Sequence, residues 1–153
     1  MSKLNLKIPP VAQGLLALLL MLLSERYVPI YRVDFRFKSI FAAAFLILGM
    51  VVGASAVLTF IKMRTTVDPR YPNKASRLVI TGVYRISRNP MYLAILLVLL
   101  GVAVHLGALS AGCVVIAFGA YIHHHQILPE ERVLRHKFGE SYARYSKEVR
   151  RWL

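Results

Sequence analysis

Acidic residues are scarce in this chain: seven Asp and Glu stand against 20 Lys and Arg in 153 residues, a formal net charge of +13. Cysteine is almost absent. Cys113 is alone, so no intrachain disulfide can form, and inside an apolar run it reads as a small buried hydrophobe. The P-loop pattern, the G-x-G-x-x-G fingerprint and the G-x-S-x-G elbow are all missing, which removes several soluble enzyme classes that depend on them. Internal repeats and low-complexity linkers are missing too.

Charge is absent from whole stretches of the chain. Residues 40–61 hold 22 positions without a charge, enough for about 30 Å of hydrocarbon at ~1.5 Å per residue. Residues 8–23 are also uncharged and follow Lys3 and Lys7. Leu22, Leu23, Ser24 and Glu25 then offer no small-x-small cleavage site, so this segment is expected to be a retained helix. Residues 91–122 carry no formal charge over 32 positions, too many for one crossing, and Gly107 punctuates the run after His105 and Leu106. The pattern predicts an all-α polytopic membrane bundle of about four transmembrane helices. With 57% apolar residues and a mean hydropathy of +0.54, the bilayer is the expected solvent.

The basic excess is therefore not read as a nucleic-acid footprint. Seven Lys or Arg fall within residues 62–88 and seven more within 132–151, while the turn near His105 has none. Segments flanking a two-helix hairpin share one membrane face, and positive charge marks that face as cytoplasmic. The expectation is a multi-pass protein of the inner or plasma membrane with its working face toward the cytosol. The first connection runs against this rule, since Arg26, Arg32, Arg36 and Lys38 against Glu25 and Asp34 would lie outside.

A single domain, 1–153, thus divides into N-terminal helices at 8–23 and 40–61, a cytoplasmic loop at 62–90, a hairpin at 91–122 and a charged tail at 129–153. The loop contains the turn formers Pro69, Pro72, Asn73 and Gly82. In the tail, Pro129 suits a first helical position, and Glu130 and Glu131 suit the positive end of the helix dipole. Leu134, Phe138, Tyr142, Tyr145, Val149 and Trp152 then form one stripe at helical spacing. This predicts an amphipathic interfacial helix with Trp152 at headgroup depth and Gly139 marking a bend or close approach. In the second helix, Gly49 and Gly53 offer a helix-packing face.

The candidate chemistry collects at two junctions. Arg88, Asn89, Pro90 and Tyr92 stand where the third span begins, and Glu130 and Glu131 where the fourth ends. A hairpin returns the chain to the face it left, so both groups open onto one cytoplasmic rim. Carboxylates, an amide, aromatic faces and guanidinium groups suit a polar, partly cationic ligand beside an acyl-chain environment. His123, His124 and His125 do not suit a metal, because successive helical positions point about 100° apart and metal helices use spacings of three or four. No metal site is expected.

The segment "RLVITGVYRISRNPMYLAI", an uncharged hairpin and then "EERVLRHKFGESYARY" together resemble the isoprenylcysteine carboxyl methyltransferase family and its prokaryotic relatives, integral membrane enzymes that use S-adenosylmethionine. The likeness covers residues 76–145. It implies a cofactor site formed by Arg77, Leu78, Val79, Tyr84, Arg88, Asn89, Pro90, Met91, Tyr92 and Glu130, with Glu130 and Glu131 as the catalytic carboxylates and Gln126 at the acceptor. Two departures matter. Asn89 stands where the eukaryotic enzymes carry His, which keeps a hydrogen bond but excludes proton transfer. Gln126 stands where they place an Arg, which weighs against a prenylcysteine carboxylate.

The resemblance implies methyl transfer to a lipophilic or small carboxyl, thiol or amine acceptor, with membrane lipid as a partner and no role for nucleic acid. Rival readings are a phospholipid amine methyltransferase, a relative of the NADPH-dependent membrane sterol reductases, and a non-enzymatic scaffold whose basic tail binds anionic lipid.

Overall fold

The computed structural model describes residues 9–28, 30–63 and 78–153. Arg77 and about half of the expected cytoplasmic loop, residues 64–77, lie outside these. The order is α1 (Pro10–Tyr27), α2 (Lys38–Lys62), a 3₁₀ turn (Gly82–Arg85), α3 (Pro90–Leu106), α4 (Leu109–Ile122), a π-helical turn (His123–Ile127) and α5 (Leu128–Glu148). The described residues form helices and no named strand.

Proline and glycine set the hairpin. Pro90 occupies the first turn of α3, where its missing N–H costs nothing. Gly107 ends the helix in left-handed backbone, φ 67°, with its N–H donated to Ala103 O at 3.0 Å. The chain turns where the sequence predicts.

Helix α3 is central and touches α1, α2 and α4, while α1 also packs on α4. Its contact with α2 is close because small residues face each other. A Cβ on Gly49 would stand 2.8 Å from Val98 Cγ2 and 3.0 Å from Ala94 O, and one on Gly101 would stand 3.0 Å from Ala42 O. The glycine face of α2 is therefore used within the chain. Met21, Tyr92, Leu99, Phe118, Ile122 and Ile127 join α1, α3, α4 and the π-helical turn into one core.

The two ends of the bundle differ. At one end the α1–α2 connection lies over the α3–α4 turn: Val33 N donates to Gly107 O at 2.7 Å and Leu109 N to Tyr31 O at 3.0 Å. Here Arg32 pairs with Glu25, and Lys38 pairs with Asp34 at 3.0 Å. These ion pairs neutralise two of the bases that break the positive-face rule. At the opposite end the C-terminus of α2, the 3₁₀ turn, the start of α3 and the start of α5 meet.

Several expectations are corrected. Among the described residues only α2, with 25 residues, is long and apolar enough to cross a membrane. Helices α3 and α4 have 17 and 14 residues, short of the ~20 that a full crossing takes, because Gly107 and the π-helical turn divide the uncharged run. Four crossings are thus not established. The outward faces are nevertheless apolar: Leu15, Leu16 and Leu19 on α1, Ile40, Ile47 and Met50 on α2, and Ile116 on α4 are exposed. A surface of this extent suits a membrane rather than water. Cys113 is also exposed rather than buried.

The tail departs most from its predicted form. Helix α5 stops at Glu148 instead of running to 153, and it breaks at Gly139, where φ is 49° and ψ −122°. Val149 turns extended, and Trp152 packs against the bundle core instead of continuing one helical stripe with Leu134. The break at Gly139 shifts the helical phase, so residues after it no longer continue the face set before it.

Candidate functional site

The site begins with a glycine turn. Gly82 opens the 3₁₀ turn with φ 60°, placing its α-carbon against Thr59 on α2. That turn buries Tyr84, whose ring meets Phe60 edge-on at 5.4 Å between centroids and packs with Val79, Ala56 and Met91. Tyr145 of α5 donates its phenol to Tyr84 O at 2.7 Å. Leu78 is half-buried and Val79 buried. The 3₁₀ turn is therefore held from both sides, by α2 and by α5.

Beyond it, residues 87–89 lead into α3, and all three bond to the C-terminal segment. Arg88 N donates to Arg150 O at 3.0 Å, Asn89 Nδ2 to Arg151 O at 2.9 Å, and Ser87 Oγ to Arg151 O at 3.3 Å. Asn89 and Pro90 are buried. The Asn89 amide, expected to face a ligand, spends its donor on the tail.

The two acidic residues behave differently. Glu131 is saturated by cations: Arg151 Nε and Nη2 both donate to it at 2.9 Å, and Arg88 Nη2 lies 3.2 Å from Oε1. The Glu131 hydrogen bond is the chief reason Arg151 holds its proton more tightly than usual. The Arg88 guanidinium also stands 6.0 Å from the centre of the Tyr142 ring.

Glu130 has no basic partner among the described residues. Its Oε2 accepts the Tyr92 phenol at 3.0 Å. Burial pushes its carboxyl up to about 7, the Tyr92 bond opposes that rise, and the neighbouring Glu131 charge adds to it. Burial, then the Glu130 charge and Tyr145, likewise hold the Tyr84 phenol above its ordinary range. A carboxylate that titrates near neutrality, next to two phenols and lacking a countercharge, suits a ligand that brings its own positive charge.

The sequence-predicted residues thus divide. Tyr84, Arg88, Asn89, Pro90, Met91, Tyr92, Glu130 and Glu131 gather at one end of the bundle, with Val79 behind Tyr84. Gln126 is buried on the π-helical turn, a form of helix that often accompanies functional sites. Two participants escape the sequence reading. Tyr145 counts there only as part of an apolar stripe, and Arg151 only as one of the seven bases within 132–151. No group of three or more possible metal ligands occurs among the described residues.

An apolar groove of about 230 Å³ lies between α1, α2 and α3. It is lined by Gly14, Leu18, Gly49, Ala94, Ile95 and Val98, among others. Ala94 is two positions from Tyr92 along α3 and so faces α2 rather than the polar cluster.

A family model described as phospholipid methyltransferase matches residues 37–141. The chain is also similar to an uncharacterized protein of Haemophilus influenzae (strain Rd), 48% identical over 63 residues, which is 41% of this chain and the whole of that protein. No solved structure matches.

Proposed function

The chain belongs to the phospholipid methyltransferase family, and from that premise we propose that it is an S-adenosylmethionine-dependent enzyme that methylates a membrane lipid, with its reacting end at the cytosolic rim. The observation that carries this is the Tyr92–Glu130 contact, which joins the two ends of the apolar hairpin at the mouth of the bundle.

S-adenosylmethionine supplies, when bound, a methyl group on a positively charged sulfur. The residues fit such a cation. Glu130 offers a carboxylate without a basic partner among the described residues, and Tyr84 and Tyr92 add aromatic faces, which attract cations by about 0.5 to 2 kcal/mol. Displacement at a methyl carbon needs alignment and exclusion of water more than acid–base groups. Buried Tyr84, Asn89 and Pro90 serve that need as walls. Glu130 would hold the ligand's ammonium or ribose hydroxyls, with Tyr92, which donates its phenol to Glu130 Oε2, orienting that carboxylate.

The acceptor side favours a lipid amine over a carboxylate. Gln126 is itself neutral, where a cationic side chain would suit a carboxylate acceptor, and the family's description as phospholipid methyltransferases supports a lipid amine. The groove at Gly14, Gly49 and Ala94 has the apolar lining an acyl chain needs, and the exposed apolar faces of α1 and α2 allow entry from the bilayer. In this reading the bundle crosses the membrane more than once, its helices joined through the central α3.

The test is methyl transfer. Purified protein in vesicles of phosphatidylethanolamine receives S-adenosylmethionine with a labelled methyl group, and parallel vesicles carry a prenylated cysteine. Label in the phospholipid amine is the expected result. Label only in the prenylcysteine carboxyl overturns the amine reading, and S-adenosylhomocysteine failing to bind overturns the cofactor.

A further inference from the structure

The C-terminal segment does something that neither methyl-transfer chemistry nor helix periodicity asks of it. After Glu148 the chain leaves the helix, turns back and lies along residues 87–89. Three polar groups there, the Ser87 hydroxyl, the Arg88 N–H and the Asn89 amide, have as their acceptors the carbonyls of Arg150 and Arg151. Ser87 and Asn89 are both buried, with 0% and 8% exposure, so water does not replace those acceptors without the loop opening. The segment is pinned in two further ways. The Arg151 guanidinium grips both oxygens of Glu131 at 2.9 Å, and Trp152 packs against the bundle core.

We propose that Arg151 is a positioning residue for the candidate methyl-transfer site: clamped on Glu131, it holds the tail as a strap that fixes Asn89 and Arg88 beside Tyr92 and Glu130. This rests on the methyltransferase reading above and divides the acidic pair by role. Glu131 anchors the strap and has its oxygens committed to Arg151 and Arg88, leaving Glu130 to meet the ligand. The clamp works at both ends at once, because the same Glu131 Oε1 that receives Arg151 Nε also receives Arg88. Releasing Arg151 therefore frees the tail and removes the geometry that orders Arg88. A fork-shaped guanidinium suits a two-point grip that an ammonium reproduces only in part.

Trp152 is the chain's single tryptophan, so its emission reports the strap directly. The experiment compares the full-length protein with Arg151→Ala, Arg151→Lys and Ser87→Ala in detergent micelles. It reads Trp152 fluorescence, helicity by circular dichroism and S-adenosylhomocysteine affinity by calorimetry. Arg151→Ala is expected to shift Trp152 emission to the red and weaken binding about tenfold, with Arg151→Lys recovering roughly half of that loss in free-energy terms. Ser87→Ala, which removes one of the three strap contacts, should fall between wild type and Arg151→Ala, and it carries the comparison if Arg151→Ala loses helicity. A red shift in Arg151→Ala with unchanged affinity, or equal losses in the Lys and Ala variants, overturns the positioning role. If wild type itself binds no S-adenosylhomocysteine, the methyltransferase reading fails and the positioning role with it. The emission shift then still reports whether Arg151 seats the strap.

Discussion

Tyr92 and Glu130 lie 38 residues apart and meet through one hydrogen bond, phenol to carboxylate, at 3.0 Å. One stands on the first turn of α3 and the other on the first turn of α5. Their meeting makes the hairpin between them a device for bringing two chain segments to one place.

The first prediction concerns that pair. Glu130→Gln keeps the shape of the side chain but removes the charge offered to the ligand's ammonium, a group S-adenosylhomocysteine shares with the methyl donor, and it should weaken S-adenosylhomocysteine binding at least tenfold, about 1.4 kcal/mol. Tyr92→Phe removes one charge-assisted bond, a kind that contributes about 1.5 to 3 kcal/mol. Its effect on binding should be smaller, since the Glu130 charge survives. Calorimetry on both variants checks the order, and the reverse order would move the ligand contact from Glu130 to Tyr92.

The second prediction is a pH profile. Burial raises Glu130 from 4.5 to about 7, so the folded protein holds this proton more tightly than the unfolded chain does. The contribution of Glu130 to stability is then fully present below its ordinary value and is lost as pH rises through about 7. The ammonium of S-adenosylhomocysteine needs the opposite form, the carboxylate. Binding of S-adenosylhomocysteine should therefore strengthen between pH 6 and 8, roughly one unit either side of that value, as the unliganded protein loses thermal stability over the approach to it. Both slopes should flatten in Glu130→Gln. Parallel slopes in mutant and wild type would assign the titration to another group.

What the sequence makes legible is whatever recurs locally or is punctuated. The charge-free run at 40–61 becomes α2 at Lys38–Lys62, and Gly107 turns the hairpin where expected. Convergence of Tyr92 with Glu130 is also legible, because a hairpin has to bring its ends together. The strap is not. The Asn89 side-chain amide donates to the backbone carbonyl of a residue 62 positions away, and backbone acceptors leave no mark in residue identity. Tyr145 conceals its role for a related reason, since a tyrosine on a helical stripe looks the same whether its phenol is solvated or bound to Tyr84 O. The predicted single stripe to Trp152 fails at Gly139, where counting by 3.6 assumes a continuity that the backbone does not keep.

The third prediction tests the glycine face between α2 and α3. A methyl at Gly49 meets Val98 Cγ2 at 2.8 Å and a backbone carbonyl at 3.0 Å, and only the first of these can rotate away. Gly49→Ala should cost about 1 to 3 kcal/mol through overpacking. Gly112 on α4 has nothing within 4 Å of its would-be Cβ, so Gly112→Ala should be neutral or stabilise by up to about 1 kcal/mol through helix propensity. Thermal melting of the two variants in the same detergent makes the comparison. A Gly49→Ala protein as stable as Gly112→Ala would mean that the helices stand further apart than described.

The last prediction returns to Gly139. Its φ of 49° with ψ of −122° is a conformation an L side chain rarely adopts, yet no atom lies within 4 Å of its would-be Cβ. Space is therefore not the obstacle to Gly139→Ala; backbone strain is, at about 1 to 3 kcal/mol. The chain can relieve that strain by letting α5 run straight through residue 139. A straight α5 redirects everything after the break, and Tyr142, Tyr145, Arg151 and Trp152 all lie there. Tyr145 then loses Tyr84 O and Arg151 loses Glu131, so one methyl group placed in open space should disable the distant site. Gly139→Ala is accordingly expected to shift Trp152 emission to the red and to depress methyl transfer far more than Gly112→Ala does. Wild-type emission and transfer rate in Gly139→Ala would show that the segment after residue 139 finds its place without the kink.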